Sequence, residues 1–121
     1  MIRGRFLLLT LLYFGPLYGA DQQYNRGEML YFSKGCNGCH GPSAEGGGNA
    51  PRLALKEQQE LHKKLSYFRL GKANSPSQAM MVQFALKLSN KQIEDLSHFL
   101  SHHKGDKGEK VSSELLGGFG S

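Results

Sequence analysis

The chain has 121 residues, 39% of them hydrophobic and 21% charged, and its formal net charge is +5 at neutral pH. This length permits one domain. The excess of basic residues does not indicate nucleic-acid binding, because these residues are spread along the chain and form no cluster interleaved with aromatic side chains.

Residues 1–20 have the layout of a secretory signal peptide. A short basic region precedes an apolar run over residues 6–14, and the small residues Gly19 and Ala20 follow. The run is shorter than the roughly 20 residues that a membrane-spanning helix needs. Tyr18 stands where a small residue is preferred for cleavage after Ala20, so an uncleaved anchor is the alternative. Cleavage would remove two of the 15 basic residues and lower the net charge from +5 to +3.

The first helix of the body is predicted from Tyr24 to Lys34. Apolar and aromatic side chains recur in this segment and form one face, which consists of Tyr24, Met29, Leu30, Tyr31 and Phe32. Gly35 ends the helix, and a cysteine-containing turn follows directly.

The turn Cys36-Asn37-Gly38-Cys39-His40 has the spacing of covalent c-type haem attachment. Two cysteines three residues apart lie on one side of a helical turn, so both sulfurs can form thioethers with the two vinyl groups of one porphyrin. His40 then binds the iron as the proximal ligand. The motif predicts haem c with Cys36, Cys39 and His40 as its anchors.

A zinc site and a redox dithiol are the alternatives for this motif. Structural zinc commonly uses two separated pairs of ligands, and the chain has no second cysteine pair. A thioredoxin-like dithiol needs hydrophobic strands around it, whereas residues 41–56 form a loop rich in Gly, Pro and Ala. Both observations favour haem.

Two further helices are predicted after this loop. The second lies between Gln58 and Leu70 and has a buried stripe at helical spacing, formed by Leu61, Leu65 and Phe68. The third begins at a capping box of Ser89 and Gln92 and ends before Gly105. Its apolar positions are Ile93, Leu96, Phe99 and Leu100.

These patterns predict an all-α domain over residues 21–104, in which three main helices and long loops surround one covalently bound haem. Three short helices bury little surface by themselves, and the haem would complete the core. No strand signal competes with the helices. Residues 105–121 are rich in Gly, Ser and Lys and are predicted to be a flexible tail.

The stretch from Gly27 to His103 resembles class I cytochromes c, within that group the small bacterial periplasmic type. Beyond the haem motif, the matching segments are Gly27-x-x-x-Tyr31, Ala50-Pro51-x-Leu53-Ala54, Tyr67-Phe68-Arg69-x-Gly71-Lys72 and Ile93-Glu94-Asp95-Leu96. The resemblance implies a single haem c. It also implies that the first and last helices cross closely at the glycine, with Gly27 and Tyr31 packed on Leu96 and Phe99.

The sixth iron ligand is predicted to be a methionine, and Met80 and Met81 are the candidates. The two residues lie in a segment rich in Ser, Asn and Pro that is predicted to be a loop, where they belong to no periodic stripe. The resemblance selects Met81, which stands seven residues before the Leu of the Leu88-Ser89 pair, and Met80 is the alternative. A thioether opposite an imidazole raises the reduction potential and closes the iron to small ligands.

Further roles follow from the resemblance. The Pro51 carbonyl is expected to accept a hydrogen bond from the proximal imidazole, and Leu53 is expected to pack on the haem. Tyr67 is either a hydrogen-bond donor inside the pocket or a partly exposed aromatic residue. The remaining histidines are predicted to be solvated surface residues; they are His62, His98, His102 and His103.

The predicted function is that of a soluble periplasmic electron carrier that exchanges single electrons with redox proteins, such as membrane complexes, oxidases or dehydrogenases. The chain has no catalytic acid–base pair and no second cofactor motif, and no stable membrane insertion is expected after signal cleavage. The dispersed lysines form either a solvated surface or a ring that steers acidic partners. The alternative function is that of a haem subunit of a periplasmic oxidoreductase or a peroxidase-like enzyme with an open iron.

Overall fold

The computed structural model of the protein describes Gly15 and residues 19–105. Five helices make up this region: α1 Gly19–Ser33, α2 Asn37–His40, α3 Gln58–Arg69, α4 Pro76–Ala85 and α5 Asn90–His102. The only β-pairing within it is an isolated bridge between Gly47 and Ala50. Most of the predicted signal peptide, and the predicted tail beyond Gly105, lie outside the described residues.

The all-α prediction is confirmed, and the three predicted helices correspond to α1, α3 and α5. The first helix begins earlier than predicted, at Gly19 rather than Tyr24. No helix in the described part of the chain is long and apolar enough to cross a membrane.

Helix α4 was predicted to be a loop, and that prediction was wrong. Ser75 is the N-cap, and its hydroxyl oxygen accepts a hydrogen bond from the Gln78 backbone N–H at 3.2 Å. Pro76 occupies the first turn, where its fixed φ suits the helix and its missing N–H is not needed. The serine and proline that suggested a loop therefore start a helix.

The crossing of α1 and α5 is the most extensive helix contact in the described region. A Cβ added to Gly27 would lie 2.5 Å from Phe99 Cβ and would also overlap the Asp95 carbonyl oxygen. Tyr31 and Phe99 are fully buried at this crossing, with ring centroids 5.6 Å apart. The expected packing of Gly27 and Tyr31 on the last helix is confirmed, and Leu96 lies in the same core.

The predicted apolar face of α1 is only partly correct. Tyr24, Leu30 and Tyr31 pack in or against the core, but the Met29 side chain is 72% exposed and Phe32 is also exposed. Tyr31 lies four residues after Gly27 and so shares its side of the helix, whereas Phe32 is rotated by about 100° from Tyr31. The close approach at Gly27 thus selects which side of α1 is buried.

Helix α3 packs against α5, and α4 packs against α3. Leu61 and Phe68 are buried in α3, as predicted, and Leu65 is half-buried. The capping box of Ser89 and Gln92 at the start of α5 is present. Together these contacts form a single core, to which α3, α4 and α5 contribute side chains beside those of α1.

An ion pair joins α1 and α5 next to the glycine crossing. The Asp95 side chain is only 3% exposed, and Arg26 Nε donates to its Oδ2 at 3.0 Å. Lys91 Nζ lies 3.4 Å from Asp95 Oδ1. Burial by itself would raise the pKa of Asp95, but the hydrogen bonds and charges of Arg26 and Lys91 outweigh it and hold the pKa below 3.8.

Replacing Gly27 with Ala should destabilise the protein by about 1–3 kcal/mol, because the added methyl group forces the two helices apart. Urea unfolding of the purified protein, followed by circular dichroism, measures this loss. Gly47→Ala is the matched control, since a Cβ there meets no atom within 4 Å and the glycine has no positive φ. Equal stabilities of the two variants would contradict a tight crossing.

Asp95→Asn should cost about 1.5–3 kcal/mol at pH 7, where the carboxylate is charged and hydrogen-bonded. Because the folded-state pKa is lowered, this contribution is present above the unfolded value of 3.8 and is lost as the pH falls through the folded pKa. Urea unfolding of wild type and variant between pH 7 and pH 2 should therefore show a difference that shrinks in acid. Glu94→Gln is the control, because Glu94 is exposed next to Asp95. Its free energy of unfolding at pH 7 should stay close to that of wild type.

Candidate haem site

The cysteine turn continues directly from α1. The Cys36 N–H donates to the Tyr31 carbonyl at 3.0 Å, and the His40 N–H donates to the Cys36 carbonyl at 3.0 Å. Gly35, with a φ of +78°, makes the reversal between the two helices possible. The short helix α2 is therefore positioned by the last turn of α1.

Both cysteines of this turn are free thiols, and they differ in surroundings. Cys36 is half-buried and packs against the core, whereas Cys39 is exposed. Burial raises the pKa of the Cys36 thiol. The turn thus presents one thiol on the core side and one toward the surface.

His40 is buried, with 5% of its surface exposed. Its Nδ1 lies 2.8 Å from the Pro51 carbonyl oxygen. A carbonyl oxygen can only accept, so Nδ1 carries the proton and donates it. In the neutral ring Nε2 then has a free lone pair, which is the state that metal binding requires.

The loop after His40 is held at several points by backbone groups. The Tyr31 hydroxyl donates to the Gly41 carbonyl at 2.6 Å, and the Gly46 N–H donates to the His40 carbonyl at 2.8 Å. Burial, followed by the nearby Cys36 and Glu45, raises the pKa of Tyr31, so its hydroxyl remains a donor. These bonds fix the loop that carries Pro51 against the histidine.

Ala44 anchors the same loop to the core through its burial and its backbone hydrogen bonds. It is fully buried, and its φ is +53°, a conformation that non-glycine residues rarely adopt. Its carbonyl accepts hydrogen bonds from the Leu53 and Ala54 N–H groups at 2.9 and 3.1 Å. Leu53 is thereby placed half-buried at the edge of the core.

The two candidate methionines lie side by side on α4, and the helix rotates them about 100° apart. Met81 is half-buried and packs against the core, whereas Met80 is 60% exposed. Met81 and His40 lie near each other. The helical geometry of α4 thus places one methionine side chain against the core and the other toward the outside.

Tyr67 and His103 take positions that the sequence left open or misjudged. The Tyr67 hydroxyl donates to Asn74 Oδ1 at 3.1 Å at an exposed position, although its ring packs against the core. His103 is not a solvated residue, because its Nδ1 shares a 2.9 Å hydrogen bond with the Tyr24 hydroxyl. Its ring lies 5.0 Å from that of Phe99. The crossing of α1 and α5 brings Tyr24 and His103 together, which no local pattern indicates.

A family model for cytochrome c matches residues 24–104. This match covers more than half of the chain and includes the cysteine turn, the following loop, and α3, α4 and α5. The chain belongs to the cytochrome c family. Its members bind haem c covalently, and one haem is typical of a domain of this size. A search of curated proteins found no match.

The side chains in this region have the chemistry that haem c requires. Two free thiols lie on one helical turn, and they are followed by an imidazole whose Nδ1 faces a carbonyl oxygen, so that Nε2 is available for a metal in the neutral ring. The same region contains the Met81 thioether and three further half-buried side chains, those of Leu53, Leu65 and Tyr67. The donor set and its apolar surroundings fit the cofactor of the family, and membership implies haem-based electron transfer.

Tyr31→Phe should destabilise the protein by about 1–3 kcal/mol, because the Gly41 carbonyl loses its buried donor. Hydrogen exchange should also accelerate at the Gly46 and Ala44 amides as the loop loosens. Tyr67→Phe is the control, since it removes a hydroxyl whose hydrogen bond to Asn74 is exposed. If Tyr31→Phe and Tyr67→Phe unfold at the same urea concentration, the Tyr31 hydroxyl does not stabilise the loop after His40.

Proposed function

We propose that the protein is a periplasmic electron carrier whose haem c is attached by Cys36 and Cys39 and ligated by His40 and Met81. The observation that carries this proposal is the burial pattern of α4, where Met81 faces the core near His40 and Met80 faces outward. A methionine placed in this way would supply a thioether ligand to the iron opposite His40 and would leave the iron closed to a substrate.

Haem c supplies a reversible one-electron couple between ferric and ferrous iron. His40 would bind the iron through Nε2, and it is held in one orientation. Its Nδ1–H bond to the Pro51 carbonyl fixes both the tautomer and the ring, and it makes the imidazole a stronger donor. Pro51 acts through His40 and is a positioning residue.

Met81 is the residue that distinguishes a carrier from an enzyme. A thioether ligand favours ferrous iron and raises the reduction potential, and it excludes oxygen and other small ligands. Its place on a capped helix that packs against α3 limits the movement of the sulfur. A ligand held in this way would need little rearrangement between the oxidation states of the iron, which would favour rapid electron exchange.

Thioethers at Cys36 and Cys39 would keep the cofactor with the chain outside the cytoplasm. The apolar segment at residues 6–14 supports export, and the motif supports maturation in the periplasm. Redox proteins are the proposed partners. All eight lysines in the described region are exposed, so a positive surface is available to steer acidic partners at low salt.

The axial ligand is tested by comparing Met81→Ala with Met80→Ala. Wild type should show a low-spin optical spectrum and should bind carbon monoxide poorly in the ferrous state. Met81→Ala should become high-spin or water-ligated when ferric, bind cyanide and carbon monoxide readily, and have a substantially lower reduction potential. Met80→Ala should leave the spectrum and the potential unchanged.

The opposite pattern, with the spectrum lost in Met80→Ala and kept in Met81→Ala, would assign the ligand to Met80. A wild-type protein that is already high-spin and binds carbon monoxide rapidly would contradict the carrier. It would instead support a haem subunit of an oxidoreductase or a peroxidase-like enzyme with an open iron.

A further inference from the structure

Helix α5 carries a pair of histidines, one exposed and one half-buried, that the proposed haem site does not use. His98 and His102 lie one helical turn apart, with ring centroids 4.3 Å apart and planes inclined by 35°. Side chains four residues apart share one face of a helix. We propose that these two imidazoles form a binding site for one divalent transition-metal ion, in addition to the haem iron.

His102 is held in the tautomer that a metal ligand needs. Its Nδ1 lies 2.8 Å from the His98 carbonyl oxygen and 2.9 Å from Ser101 Oγ. Because the carbonyl can only accept, Nδ1 carries the proton, and Nε2 of the neutral ring has a free lone pair. Histidines that bind metals commonly donate their other N–H to a carbonyl or carboxylate in this way.

His98 provides the second donor from a defined position. It is half-buried and lies between the buried residues Ser97 and Phe99, so its place on the helix is fixed by the core. An imidazole has two nitrogens, and one can bind a metal while the other keeps a hydrogen bond. The spacing of His98 and His102 equals that of the two zinc-binding histidines in helices of the H-E-x-x-H type.

A groove of about 270 Å³ lies beside His102 and leaves room for the hydration shell of an ion on that side of the pair; His98 does not line it. His102 and Ser101 line it together with the segment 55–58 that precedes α3, including Glu57. No third His, Cys, Asp or Glu of the described residues completes a cluster with the pair. Water would therefore fill the remaining positions of a bound ion, and the Glu57 carboxylate on the groove wall could accept hydrogen bonds from it.

The chemistry of the pair selects the class of metal. Imidazole nitrogen suits Cu²⁺, Ni²⁺ and Zn²⁺, whereas Mg²⁺ and Ca²⁺ prefer oxygen ligands. Lys56 also lines the groove, and its positive charge opposes any cation. Binding thus depends on coordination by nitrogen rather than on attraction by charge. Cu²⁺ should bind most tightly, in line with the general order of divalent-metal affinities.

The experiment uses the oxidised, haem-loaded protein titrated with Cu²⁺ in a calorimeter and by electron paramagnetic resonance. Wild type should bind one equivalent, with a signal typical of two coordinated nitrogens, and Mg²⁺ should not compete. His98→Asn and His102→Asn should each weaken binding at least about tenfold. His62→Asn is the matched control, because His62 is an exposed histidine on α3 and should bear no part of this site.

Unchanged Cu²⁺ affinity in the His98→Asn/His102→Asn double variant would overturn the proposal, as would the same loss in His62→Asn. Circular dichroism and the Soret band check that the variants remain folded. Amide shifts caused by Zn²⁺ in the wild-type protein provide a test without mutation. They should centre on residues 98–102 and on the groove, and shifts centred elsewhere would place the metal at another site.

Discussion

The close crossing of α1 and α5 at Gly27 is the constraint on which the rest of this structure depends. Because Gly27 has no side chain, the backbone of α1 approaches Asp95 and Phe99 directly. The approach buries Tyr31, whose carbonyl accepts from the Cys36 N–H. The position of the cysteine turn, residues 36–40, is therefore set by a helix contact that lies outside it.

Tyr31 links this crossing to His40, the proposed iron ligand, as well. Its ring packs on Phe99 while its hydroxyl holds the Gly41 carbonyl, so one side chain belongs to both the core and the loop. The loop then returns to place the Pro51 carbonyl against His40. In this small domain, the orientation of the His40 imidazole depends on a loop that hydrogen bonds attach to the core.

Much of the fold could be predicted from local patterns, because three of the helices have apolar spacing, stop signals or a capping box that act over a few residues. Helix α4 was missed because Ser75 and Pro76 are common both in loops and at helix starts. The apolar face of α1 was assigned too broadly, since Met29 and Phe32 look as hydrophobic as the residues that are buried. Only the direction of the neighbouring helix distinguishes them.

The sequence by itself determined the class of chemistry, because a thiol pair followed at once by an imidazole is a local arrangement that one helical turn presents together. It also indicated the glycine at the helix crossing, through resemblance to a family. The tertiary structure decided that Met81, rather than the adjacent Met80, packs against the core. It also decided that His103 is hydrogen-bonded to Tyr24 instead of being solvated. Those choices depend on the rotation of each helix against its neighbours, and the packing of residues far apart in the chain sets that rotation.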